Sequence, residues 1–76
     1  MLTGRQIREA RALLGIKPNE LARSSKIVIT ATVKRAEADD HSPPMAETHM
    51  KAIRQTLERL GVEFTPDGPR LRKDGV

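Results

Sequence analysis

The sequence predicts a mainly α-helical fold, four short helices closed by a C-terminal β-strand or hairpin, on three observations. Apolar residues recur at helical spacing in separate segments between residues 3 and 60. Those segments carry start and stop signals, with Thr3 and Pro18 at beginnings and Gly15 and Gly61 at ends. After Gly61 the period changes from helical to alternating.

Each element follows from its residues. Thr3 with Gln6 three positions on is a capping-box pattern, and Ile7, Ala10 and Leu14, with Leu13 beside them, make the stripe of a helix over 3–14. Pro18 suits the first position of a second helix over 18–25, where its missing N–H would lack a partner anyway. The β-branched run Ile27-Val28-Ile29 interrupts helix, and a third helix over 30–38 opens near Thr30. Its apolar content is slight. Val33 and Ala36 face inward, leaving Thr30, Thr32, Lys34 and Arg35 outward. Asp39 to Pro44 is loop chemistry. Met50, Ile53, Leu57 and Leu60 form the stripe of a fourth helix over 46–60, with Met45 at its start. Val62 to Thr65 and Arg70 to Lys73 alternate around a Pro66–Pro69 turn, which reads as a hairpin over 62–76.

Composition limits the function. A chain of 76 residues buries only about 60–65% of its unfolded surface, which leaves little room for a water-excluding catalytic pocket. No cysteine is present, so disulfide scaffolds, thiolate zinc sites and thiol chemistry are excluded. A reducing cytoplasm, at the nucleoid, is the expected location. No segment has the pattern of a membrane span or signal peptide. Phe64 is the sole aromatic residue, which disfavours ligands held by base stacking on aromatic platforms.

The formal charge is +4, and it is unevenly placed. Residues 1–35 hold eight Lys or Arg against Glu9 and Glu20, a net of +6; the remainder nets −2. A solvated arginine-rich surface would show the same excess. A one-sided positive field is also what a phosphate backbone attracts, and with stacking disfavoured the expected partner is double-stranded DNA. Two short helices with a polar, exposed second member and a supporting helix behind them have helix-turn-helix geometry.

The motifs Ile7-Arg8-Glu9-Ala10-Arg11, Leu14-Gly15, Asn19-Glu20-Leu21-Ala22 and Thr32-Val33-Lys34-Arg35-Ala36-Glu37, in this order, resemble the lambda-repressor-like Cro/C1-type (XRE) helix-turn-helix proteins. Residues 46–60 are similar to that family's next helix, and Leu60-Gly61-Val62-Glu63-Phe64 to the ending of its short stand-alone bacterial members; the likeness spans about residues 3–64. The resemblance implies a DNA-binding domain over 1–61, a sequence-specific transcriptional regulator without enzymatic activity or cofactor. By position it implies base contacts from Thr30, Ala31 and Arg35, and phosphate contacts from Lys17, Asn19, Lys26, Thr32 and Lys34. It also implies a structural ion pair between Arg11 and Glu37. A symmetric homodimer is expected, with Val62, Phe64 and Leu71 of the tail as contact residues.

The chain departs from the family in three places. Leu21 to Glu37 is one residue longer than usual, and Lys26 or Ile27 stands where the turn commonly has glycine. Pro18 replaces the frequent glutamine of helix two. Asp39 and Asp40 bring negative charge to a loop near the expected backbone. The last two features fit a rival reading, a protein-interaction module (an antitoxin or adaptor) docking a protein partner through its tail strand. His41 and His49 with Asp39, Asp40 and Glu47 straddle a Pro-Pro loop and do not suggest converging metal ligands.

Overall fold

A computed structural model describes residues 2–40 and 46–72. The elements, in order, are α1 (Gly4–Leu14), α2 (Pro18–Ser25), α3 (Thr30–Glu37), α4 (Glu47–Arg59), β1 (Val62–Thr65) and β2 (Gly68–Leu71). The fold is therefore mainly helical with a small antiparallel hairpin. His41, Met45 and Lys73, each assigned a place from the sequence, lie outside the described residues.

α1 begins with the full capping box: Gln6 N–H donates to Thr3 Oγ1 (3.1 Å) and Thr3 N–H to Gln6 Oε1 (3.0 Å). It ends at Gly15, whose φ of 68° lets its N–H turn back to Ala12 O. The helix starts on a glycine for a tertiary reason. Gly4 is buried, and a Cβ there would overlap the carbonyl oxygens of Ala36 and Asp39. Only glycine lets the first turn of α1 press against the C-terminal end of α3.

The largest wholly buried side chains are Ile7, Leu21, Val33, Ile53, Leu57 and Val62, one or two from each helix and one from β1. Each such side chain contributes roughly 1.5–3 kcal/mol. Leu60 is 40% exposed and caps α4 instead of joining its buried stripe, and Leu13 is 42% exposed. Thr56 takes a place in that stripe because its hydroxyl donates to Ala52 O at 2.8 Å, so no polar atom is left unpaired.

The hairpin turn is shorter than the sequence suggests. Thr65 pairs with Gly68, so the loop is Pro66-Asp67, and Gly68 and Pro69 belong to β2. Proline at the first loop position fixes φ near about −65° and rules out the primed turns that need positive φ there. The left-handed step passes instead to Gly68, at φ 119°. Thr65 Oγ1 braces the loop, accepting from Asp67 N–H (3.2 Å) and donating to Gly68 O (2.8 Å). Pro69 faces Phe64 in the alternate register from the Arg72 N–H to Gly61 O bond, a position where the ladder requires no donor. β1 lies along α4 and β2 along α1, which makes the tail part of the one core.

Candidate nucleic-acid interface

α2 and α3 meet through residues 26–29, and the serine that ends α2 organises the connection. Ser25 is buried; its Oγ donates to Ala22 O (2.9 Å) and accepts from Val28 N–H (3.1 Å) and Ile27 N–H (3.3 Å). One hydroxyl thus replaces part of the backbone bonding that a non-helical segment lacks. Lys26 occupies the left-handed position, φ 63°, with its N–H on Ala22 O. Of the two residues the sequence left open for that place, Lys26 stands in it. Val28 then drops into the core at 6% exposure, while Ile27 and Ile29 on either side are each 67% exposed.

α3 is held from behind at its C-terminal end. Arg11 Nε and Nη2 bind the two carboxylate oxygens of Glu37 (2.9 and 3.0 Å), and Arg11 Nη1 donates to Ile16 O (2.9 Å). The hydrogen bond to Glu37, opposed by burial and helped by the carboxylate's charge, raises the Arg11 guanidinium above its ordinary pKa. Arg8 donates to the Glu37 carbonyl and to Asp40 Oδ1. Asp40 is therefore engaged with α1, which lessens the repulsion expected of the Asp39-Asp40 loop.

The other face of α3 is open. Ala31, Lys34 and Arg35, at helical spacing, are exposed; Thr30 and Thr32 flank them half-buried, and Val33, Ala36 and Glu37 are buried. Thr32 is thus less outward than its sequence position implies. Among the described residues, Lys26, Lys34, Arg35 and Arg23 form no ion pair, whereas Arg5, Arg8 and Arg11 of α1 pair with Glu9, Asp40 and Glu37. No acidic residue occurs from Leu21 to Ala36.

The N-terminus of α2 is less open. Lys17 and Asn19 are exposed, but Glu20 Oε1 already accepts the Lys17 N–H at 2.8 Å. A phosphate arriving there would meet that carboxylate, which makes the N-terminus of α2 a less favourable anion site than its sequence implies.

In the tail, Val62 is wholly buried against the helices. It cannot be the dimer contact expected of it, because its surface is already covered within its own chain. Phe64 packs partly against the core with the Arg54 guanidinium 5.5 Å from its ring centroid. Leu71 is 48% exposed.

Elsewhere, an open groove of about 450 Å³ between α1 and the hairpin loop is lined by Glu9, Ala12, Leu13, Asp67, Gly68 and Pro69. It contains no nucleophile–base pair. Among the described residues, no cluster of His, Cys, Asp or Glu could hold a metal ion, and no helix is long and apolar enough to cross a membrane. No family model, curated protein or solved structure matches the chain.

Proposed function

We propose that the chain is a sequence-specific double-stranded DNA-binding protein, a transcriptional regulator of the lambda-repressor-like helix-turn-helix type, acting in the cytoplasm. The observation that carries this reading is the separation of charges. Arg23, Lys26, Lys34 and Arg35 of the α2–α3 unit form no ion pair among the described residues, while the arginines of α1 each meet a carboxylate.

In this reading α3 enters the major groove by its N-terminal end, with Thr30 and Ala31 near base edges and Arg35 donating in bidentate fashion to guanine. Lys26 and Lys34 contact phosphates on either side, and Lys17 does so more weakly. The protein binds; it has no catalytic role. Two copies place their α3 helices about 34 Å apart on a pseudo-palindrome, joined through the hairpin with Leu71 and the exposed edge of Phe64 at the contact. Among the described residues neither outer edge of that two-stranded sheet pairs with a further strand, which favours the second reading as well, a protein partner added to the hairpin.

Fluorescence anisotropy on random-sequence duplex across a salt series tests the proposal. Three lysine–phosphate contacts give a slope of log affinity against log salt of about −3 per protomer, at about −0.9 each. Site selection should then return a short palindrome. No binding at low salt refutes DNA binding and transfers the weight to the protein-partner reading.

A further inference from the structure

We infer that Ile27 and Ile29 read thymine, packing their exposed side chains against C5-methyl groups in the major groove. The inference rests on the DNA-binding reading above and adds to it the chemistry of the base being read.

At 67% exposure each, these isoleucines are the most exposed of the large apolar side chains among the described residues, ahead of Leu71, Leu13 and Leu60. Their exposure follows from the local backbone. Residues 27–29 alternate out, in, out, with Val28 anchored in the core, and Ile29 is extended at φ −101°, ψ 169°. Both are thus turned away from the core by the same residue that anchors the segment.

Ile29 also breaks a local rule. It is the N-cap of α3, where Ser, Thr, Asp or Asn would bond an otherwise unpaired N–H, and it supplies no such bond. An apolar side chain that serves neither cap nor core, beside the exposed start of a helix, is the kind of local inconsistency that functional sites carry.

Charge identifies the occupant. Lys26 adjoins the pair, Lys34 and Arg35 follow on α3, and no acid lies between Leu21 and Ala36. A second copy meeting this face would bring like charges together. A DNA duplex matches both features: its phosphates answer the cations, and thymine is the base that presents a methyl group in the major groove.

The test starts from the duplex the protein selects. Each thymine is replaced singly by deoxyuridine, which removes the methyl and leaves the pairing edge intact. Affinity should fall about fourfold per methyl that an isoleucine covers. Ile29→Ala should lose that discrimination at one position and Ile27→Ala at another, while Ile29→Val retains most of it. Thermal melts should stay at the wild-type midpoint, because neither side chain is in the core. Wild-type protein that binds the deoxyuridine and thymine duplexes equally, with its salt-dependent binding intact, overturns the inference alone. Variants that abolish self-association without changing thymine preference also overturn it and assign the patch to a second copy. Failure to bind any duplex at low salt overturns the DNA-binding reading, and this inference with it.

Discussion

Lys26 lets the demands of folding and of binding be measured apart, because one residue carries a backbone cost and a candidate phosphate contact. Its φ of 63° places an L-residue in left-handed space, which costs roughly 1–2 kcal/mol. Glycine removes that cost but adds about 0.5–1 kcal/mol of chain entropy on folding. Taking the middle of each range, the net gain from Lys26→Gly is about 0.75 kcal/mol, since the side chain is exposed and leaves no cavity. For a domain of this size the gain corresponds to a rise of roughly 3–6 °C in melting temperature. The same substitution removes one cation from the proposed interface and should reduce the salt slope by about 0.9, equally on every duplex. Lys26→Ala serves as the control: it loses the charge without relieving the backbone, so its salt slope falls alike while its melting temperature does not rise. Calorimetry and anisotropy on the three proteins provide the two readouts. A glycine variant melting at or below wild type refutes the strain argument. Unchanged salt slopes in both variants remove Lys26 from the DNA face.

Arg35→Ala should cost about 1–3 kcal/mol on the selected site and relax preference at one base pair, whereas Lys34→Ala should weaken all duplexes alike; equal losses on every sequence from both would refute base reading by Arg35. Gly4→Ala should destabilise by about 1–3 kcal/mol, since its methyl must displace backbone and not a flexible side chain; an unchanged urea midpoint would show that α1 and α3 can part without cost. Arg11→Ala leaves the Glu37 carboxylate buried without its partner and should cost about 2–4 kcal/mol, discounted for partial exposure, while Arg11→Met with Glu37→Leu should cost less than the single change. Equal urea midpoints for the single and double variants would show that the unpaired carboxylate carries no penalty. Because the folded pKa of Arg11 is raised, its stabilisation is fully present below the unfolded value and lost only as pH climbs through the folded one. Arginine titration therefore adds no pH dependence below about pH 12, which urea midpoints of wild type and Arg11→Ala compared from neutral to moderately alkaline pH will check.

The elements legible in the sequence were those specified by local chemistry. The Thr3–Gln6 box, Pro18 and Gly15 act within a few residues of themselves, and each marks a helix boundary in the structure. Features that depend on residues distant in sequence were not legible. Gly4 reads as an indifferent first helical residue until the end of α3 is set against it. Val28 reads as one of three residues interrupting a helix, yet it is the one that enters the core. The hairpin loop is ambiguous in the sequence because Pro66, Asp67, Gly68 and Pro69 are all turn formers. Which two of them turn is decided by φ constraints and by pairing across to Phe64 and Thr65.

The charge split shows a similar division. Counting residues locates the positive excess in 1–35, but does not say which of its cations are engaged in holding the fold together. The structure withdraws Arg11 into a largely buried pair and sets Arg5 and Arg8 beside carboxylates at the surface, and two of the three partners, Glu37 and Asp40, lie beyond the basic segment. What remains is the smaller group of cations between Leu21 and Ala36, a stretch without acidic residues that includes the left-handed Lys26. The acids that make the second half of the chain negative thus do part of their work on the first half. They fix the C-terminal end of α3 against α1, while Ile29 and Ala31 at its N-terminal end are exposed and Thr30 is half-buried. In the proposed reading, a helix fixed at its C-terminal end approaches a groove at a defined angle, and the small residues at its other end let backbone and apolar side chains come close to the groove floor. The ion pairs of α1 and the unpaired cations of α2, the turn and α3 are two uses of one charge excess, and only at the second would a phosphate meet no competing carboxylate in an ion pair among the described residues.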